Sequence, residues 1–168
     1  MISFLRIIIF QSLWFLFAYW GTWDYQFLVP IIALISVLVD WKLANSQITF
    51  RSLIIFLIFL LICGVMIDSI LFHFQWILTQ KHHHLSPMNM WGFWIIFAPY
   101  YDFAFDKFKQ NKLLAIVFAL IGAPMAYQGG SKLANFDVTQ EGFVLIAILW
   151  GIFFPLSLHI YYKKLLKT

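Results

Sequence analysis

Asp68 is the only formal charge in the 29-residue interval between Arg51 and Lys81, and its neighbours are almost all apolar. A carboxylic acid inside an apolar helix is costly, and such acids face a bundle interior or a cavity, where they pair, relay protons or bind. Counting from a helix start at Ser52, the rise places Asp68 about 24 Å along, in the outer part of a bilayer core. The same count from Lys112 brings Tyr127 and Gln128 to nearly that depth. Asn89 and Trp91, on a helix running the other way, fall near the same level. Gly64, Asp68 and Gln75 are read as sharing a face, and Gly129 and Gly130 leave room for a ligand or a neighbouring backbone. A polar pocket of Asp68, Trp91, Tyr127 and Gln128 near the outer leaflet is therefore expected. A plainer reading stands beside it, in which Asp68 is an interhelical hydrogen-bond partner, protonated or capped by Gln128.

A second group comprises Asp102, Asp106 and His159. Asp102 and Asp106 are four residues apart and share a helical face, as paired carboxylates would. Lys107, Lys109 and Lys112 follow at once, which favours an interfacial ion-pair cluster, and Asp40 with Lys42 reads the same way. His82, His83 and His84 are consecutive, so they cannot converge easily on one ion, and metal-ligand spacing is absent. No metal or cofactor is expected. Phosphate-binding loops, dinucleotide fingerprints, zincin motifs and nucleophile elbows are all missing. Cys63, the single cysteine, lies in an apolar run and excludes an intramolecular disulfide.

The elements that must position these groups are transmembrane helices. Of 168 residues 63% are hydrophobic and 11% charged, too few polar groups to cover a water-soluble domain. Six spans account for the apolar runs, at about 3–21, 27–44, 52–76, 87–105, 112–131 and 142–162, within one domain over 1–168. The first is read as a retained helix, because Ala18-Tyr19-Trp20-Gly21 offers no signal-cleavage pair. Nine basic residues (Arg6, Lys42, Arg51, Lys107, Lys109, Lys112, Lys163, Lys164 and Lys167) then share one side, against Lys81 and Lys132 on the other. By the positive-inside rule both termini are cytoplasmic. The net charge of +4 belongs to those loops, and no nucleic-acid partner is expected. Trp20, Trp23, Trp76 and Trp91 fit one aromatic belt, and Trp41, Tyr161 and Tyr162 the other. Ala115, Ala119, Gly122, Ala126 and Gly130 line one face of the fifth span, where helices can approach closely. That span is expected at the centre of the bundle.

Three segments occur in an order that resembles a known family: Gly64 to Leu71 around Asp68, Pro87 to Ala98 around Trp91 and Trp94, and Gly122 to Gly129 around Pro124 and Tyr127. With Phe10-Gln11 and Trp14-Phe15 ahead of them, they are similar to the short bacterial inner-membrane proteins grouped as domain of unknown function 2878. The resemblance implies the bacterial cytoplasmic membrane and supplies no activity. Members of that family are similar in context to proteins of membrane fatty-acid modification, so the resemblance implies a lipid connection. The family pattern includes Asp68, Trp91 and Tyr127 but not Asp102 or the three histidines. Two functions stay open. The preferred one is a non-catalytic protein that binds membrane lipids, a membrane protein partner or a second copy of itself. The other is a small transporter or enzyme of lipid metabolism in which Asp68 exchanges a proton or acts as acid and base.

Overall fold

A computed structural model describes residues 2–20, 26–43, 48–79 and 84–165, without the side chains of Ile2, Ser3, Asp102 and Lys164. Trp23, Lys81, His82, His83 and Lys167 lie outside the described residues. The chain forms α1 (Ile2–Trp20), α2 (Leu28–Leu43), α3 (Phe50–His73), β1 (Ile77–Thr79), α4 (Met88–Phe97), α5 (Tyr100–Phe103), α6 (Lys112–Ala134), β2 (Phe136–Val138) and α7 (Gln140–Ile160). Helices α1, α2, α3, α6 and α7 overlap the first, second, third, fifth and sixth of the expected apolar runs. The polar residues that punctuate the apolar runs serve as caps: Thr49, Asn111 and Thr139 accept from the backbone N–H groups of Ser52, Leu114 and Gly142. Asn135 closes α6 in the left-handed conformation, one of the few non-glycine residues that tolerate it.

Three of the helices, α3, α6 and α7, are long and apolar enough to cross a membrane, while α1 and α4 are shorter apolar helices. Apolar side chains also cover the outside. Ile55, Ile58, Ile62 and Met66 form an exposed row on α3, and Val144, Ile148 and Ile152 another on α7. A helix apolar all round is at home in lipid or in a large protein core.

Several expectations are corrected. The fourth span is not one helix: α4 stops at Phe97 and α5 resumes at Tyr100, because Pro99 has no N–H and its ring crowds the preceding turn. The bonds across the break are three residues apart, from Ala98 to Ile95 and from Tyr101 to Ala98. The chain is not purely helical either. β1 and β2 pair antiparallel, Ile77 opposite Val138, so a short ribbon joins the ends of α3 and α6. Gln75 has left the helix (φ 59°) and is not on the face of Asp68. The centre of the bundle belongs to α4, with six of its ten residues buried, whereas α6 buries four of 23. Close approach happens around α4 as well: a Cβ on Gly92 would lie 2.2 Å from Val29 Cγ1, and one on Gly64 would lie 1.9 Å from Trp94 Cδ2.

At the end away from the ribbon, Asp40 does not pair with Lys42. It receives a bidentate bond from Arg6, at 2.7 and 2.6 Å, which ties α1 to α2. The Arg6 guanidinium also lies over the Phe103 ring, 3.9 Å from its centre. Ser157 Oγ donates to the Phe154 carbonyl, so Tyr101 must be the donor in its 2.6 Å bond to Ser157. This fastens α5 to α7.

Candidate ligand cavity around Asp68

The small-residue face of α6 does not meet a neighbouring helix along its whole length. Ala119, Gly122, Ala123, Ala126, Gly129 and Gly130 instead form one wall of a cavity of about 370 Å³, within the size range of ligand pockets. The opposing walls come from α1, α4 and α7, and Phe136 of the ribbon lies at one end. Gln11 on α1 and Met125, Ala126 and Gly129 on α6 line it and are exposed, so its mouth lies between these two helices. From Phe118 to Ala134 the lining of α6 extends over about 24 Å. The walls are almost wholly apolar and rich in aromatic rings, and among the described residues they contain no Lys, Arg or His.

Asp68 is part of this lining and is only 1% exposed. Trp94 Nε1 donates to its Oδ2 at 2.6 Å, and the Tyr127 hydroxyl donates to its Oδ1. Three helices, α3, α4 and α6, thus meet at one carboxyl group. The Trp94 ring occupies the gap that Gly64 leaves on α3, and its other face stacks on Trp150 with centres 4.8 Å apart. The Trp150 N–H is buried beside the Tyr127 hydroxyl and makes no hydrogen bond of normal geometry among the described residues. Hydrogen bonds between membrane helices average about 0.6 kcal/mol, against about 2.5–3.5 kcal/mol for placing an ionised Asp at a helix centre. Two such bonds offset only part of that cost. Asp68 is thus an interhelical hydrogen-bond partner, joined to Trp94 and Tyr127 rather than to Gln128, and it also borders the cavity.

Of the expected pocket residues, Asp68 and Tyr127 come together and two others do not. Trp91 points away from the cavity: its Nε1 donates to the Ser86 carbonyl (3.2 Å) and Oγ (3.1 Å), and Ser86 N–H in turn donates to Ser69 Oγ. Trp91 therefore anchors the segment leading into α4. Gln128 is exposed, and its carbonyl accepts from Ser131. Adjacent helical positions diverge by about 100°, so neither can share a face with the residue next to it. Asn89 is buried, with its Oδ1 unpartnered among the described residues, and it does not line the cavity. In the second group, Asp106 begins a 3-10 turn and is exposed, as is His159, and no bond joins them among the described residues. The side chain of Asp102 lies outside the described residues.

Sequence reasoning missed Trp94, Trp150 and Gln11. Trp94 shares the 90, 93, 94, 97 stripe that lines the cavity, a helical period visible in the sequence. Gln11, in the middle of α1, is another polar residue within an apolar run.

The fold and cavity define the class, a helical bundle of membrane type with a hydrogen-bonded acid on the wall of an apolar cavity. The chain belongs to the family described as "Protein of unknown function (DUF2878)", whose model matches residues 3–156. No curated protein and no solved structure matches the chain.

Proposed function

We propose that this protein binds a lipid-type ligand, with an apolar body, in the cavity between α1, α4, α6 and α7. The observation that carries this is the cavity itself, elongated along α6, apolar, with its mouth between two helices rather than at the end of the bundle. A mouth at that place receives molecules already dissolved in the bilayer. In this reading the chain has six spans, with both termini in the cytoplasm and the acid near the outer leaflet of the bacterial cytoplasmic membrane. The nine-to-two distribution of basic residues supports that orientation. Proton-exchange or acid–base work by Asp68 would need water to reach it. Apolar cavities of this kind stay dry, and both oxygens of Asp68 already accept bonds, which favours binding.

The test is a bulky side chain where α6 has none. A Cβ at Gly122 meets nothing closer than Phe118, at 3.8 Å, and Gly122 lines the cavity, so a larger side chain there has room to enter it. Gly122→Phe is expected to abolish lipid that co-purifies with the protein, read by native mass spectrometry, with no fall in melting temperature. Unchanged lipid occupancy in a folded Gly122→Phe variant would remove the proposal.

A further inference from the structure

We infer that the ligand of this cavity is a lipophilic organic cation, an amine or quaternary ammonium on an apolar body. The inference rests on the reading above, that the cavity is a binding site, and names the chemistry of its occupant. Asp68 supplies the first argument. Its two oxygens lie against the Trp94 N–H and the Tyr127 hydroxyl, donors that would hold a carboxylate in place opposite a bound cation. Among the described residues no Lys, Arg or His lines the cavity, so none of them there would balance a carboxylate's charge.

The second argument is what the lining excludes. A phosphate or carboxylate head group would find no basic side chain among the described lining residues, and it would face Asp68 across an apolar medium where repulsion is poorly screened. The third is the aromatic wall. Trp14, Phe93, Phe97, Phe118 and Phe154 line the same space, and the faces of such rings attract cations, most strongly when water is excluded. A carboxylate backed by aromatic rings is matched in charge to a cation and in surface to its apolar body. Gln11 at the mouth offers an amide to a cation entering from the bilayer.

The experiment uses the full chain in nanodiscs of zwitterionic lipid. Three probes share a twelve-carbon chain and differ only in the head: dodecyltrimethylammonium, dodecanol and dodecyl sulfate. Binding is read from the change in total tryptophan fluorescence, to which the cavity's Trp14, Trp94 and Trp150 contribute, with protein-free nanodiscs subtracted. The ammonium is expected to bind at least about tenfold tighter than the alcohol, the size of one desolvated cation–π or ionic contact. The sulfate should bind weakest. Asp68→Asn should bring ammonium and alcohol within about twofold, and Gly122→Phe should abolish both.

Equal affinities for all three probes, lost together in Gly122→Phe, would overturn the cation and leave the cavity as a binding site. A preference for the sulfate would do the same. Binding indifferent to Gly122→Phe would overturn both readings. Should Asp68→Asn fail to fold, the wild-type preference for ammonium and its loss in Gly122→Phe decide the matter by themselves.

Discussion

At the scale of single residues, the Asp68 site depends on one glycine as much as on the acid. Gly64 lies one turn below Asp68, and any Cβ there would overlap the Trp94 ring. Gly64→Ala must push the indole off its place, breaking its bond to Asp68 and its stack on Trp150. The expected loss is about 1–3 kcal/mol, the usual cost of overpacking, measured by reversible unfolding in mixed micelles. Trp94→Phe deletes the N–H and keeps most of the ring, so its cost should stay nearer the ~0.6 kcal/mol of an average interhelical hydrogen bond. Equal stability of Gly64→Ala and the wild type would show that Trp94 is not held as described. The acid and Tyr127 were legible beforehand, because a constant rise per residue converts position along a helix into depth. That Trp94 rather than Trp91 reaches the acid was not, because depth says nothing of rotation about the helix axis.

Among the elements, the ribbon is the part with no forewarning. Three-residue strands are too short for an alternating pattern to register, and β1 and β2 are far apart in sequence. They pair because α3, α6 and α7 bring their ends together. Gly142 seals that junction: a Cβ there would lie 2.5 Å from the Trp76 carbonyl oxygen, and Thr139 N–H donates to the same carbonyl. Backbone cannot yield as a side chain can. Gly142→Ala should therefore cost about 1–3 kcal/mol and raise hydrogen exchange at β1 and β2. Gly129→Ala, whose Cβ meets only Trp14 at 3.7 Å, should change stability by less than about 0.5 kcal/mol. A tolerated Gly142→Ala with an unaltered ribbon would contradict this account. The break in the fourth span was readable from Pro99, since a proline in a helix interior forfeits a bond and crowds the turn before it.

For the whole molecule, the prediction concerns sidedness. In a Cys63→Ser background, single cysteines replacing Lys107 or Lys163 should resist a membrane-impermeant maleimide added to intact spheroplasts. One replacing Lys132, at the ribbon end of α6, should react. Labelling of the first two and protection of the third would invert the topology. Protection of all three would remove the six-span arrangement. The exposed apolar rows on α3 and α7 imply that the surface between those ends contacts lipid.

From the residues alone it follows that the protein is built of apolar helices, roughly where most of them lie, and that one acid is buried among them. These properties follow from local chemistry: hydropathy, capping residues, proline and the fixed rise of a helix. Only the tertiary structure decided which faces meet. It put α4 rather than α6 at the centre, because α4 carries large aromatic side chains that fill space and fits closely at Gly92 and against Gly64. The small residues of α6 read equally well as a contact surface or as the wall of an empty space. What settles between the two is the shape of the opposing helices, and that shape is a property of the assembled bundle. The cavity beside Asp68 exists because α1 and α7 cover α6 incompletely.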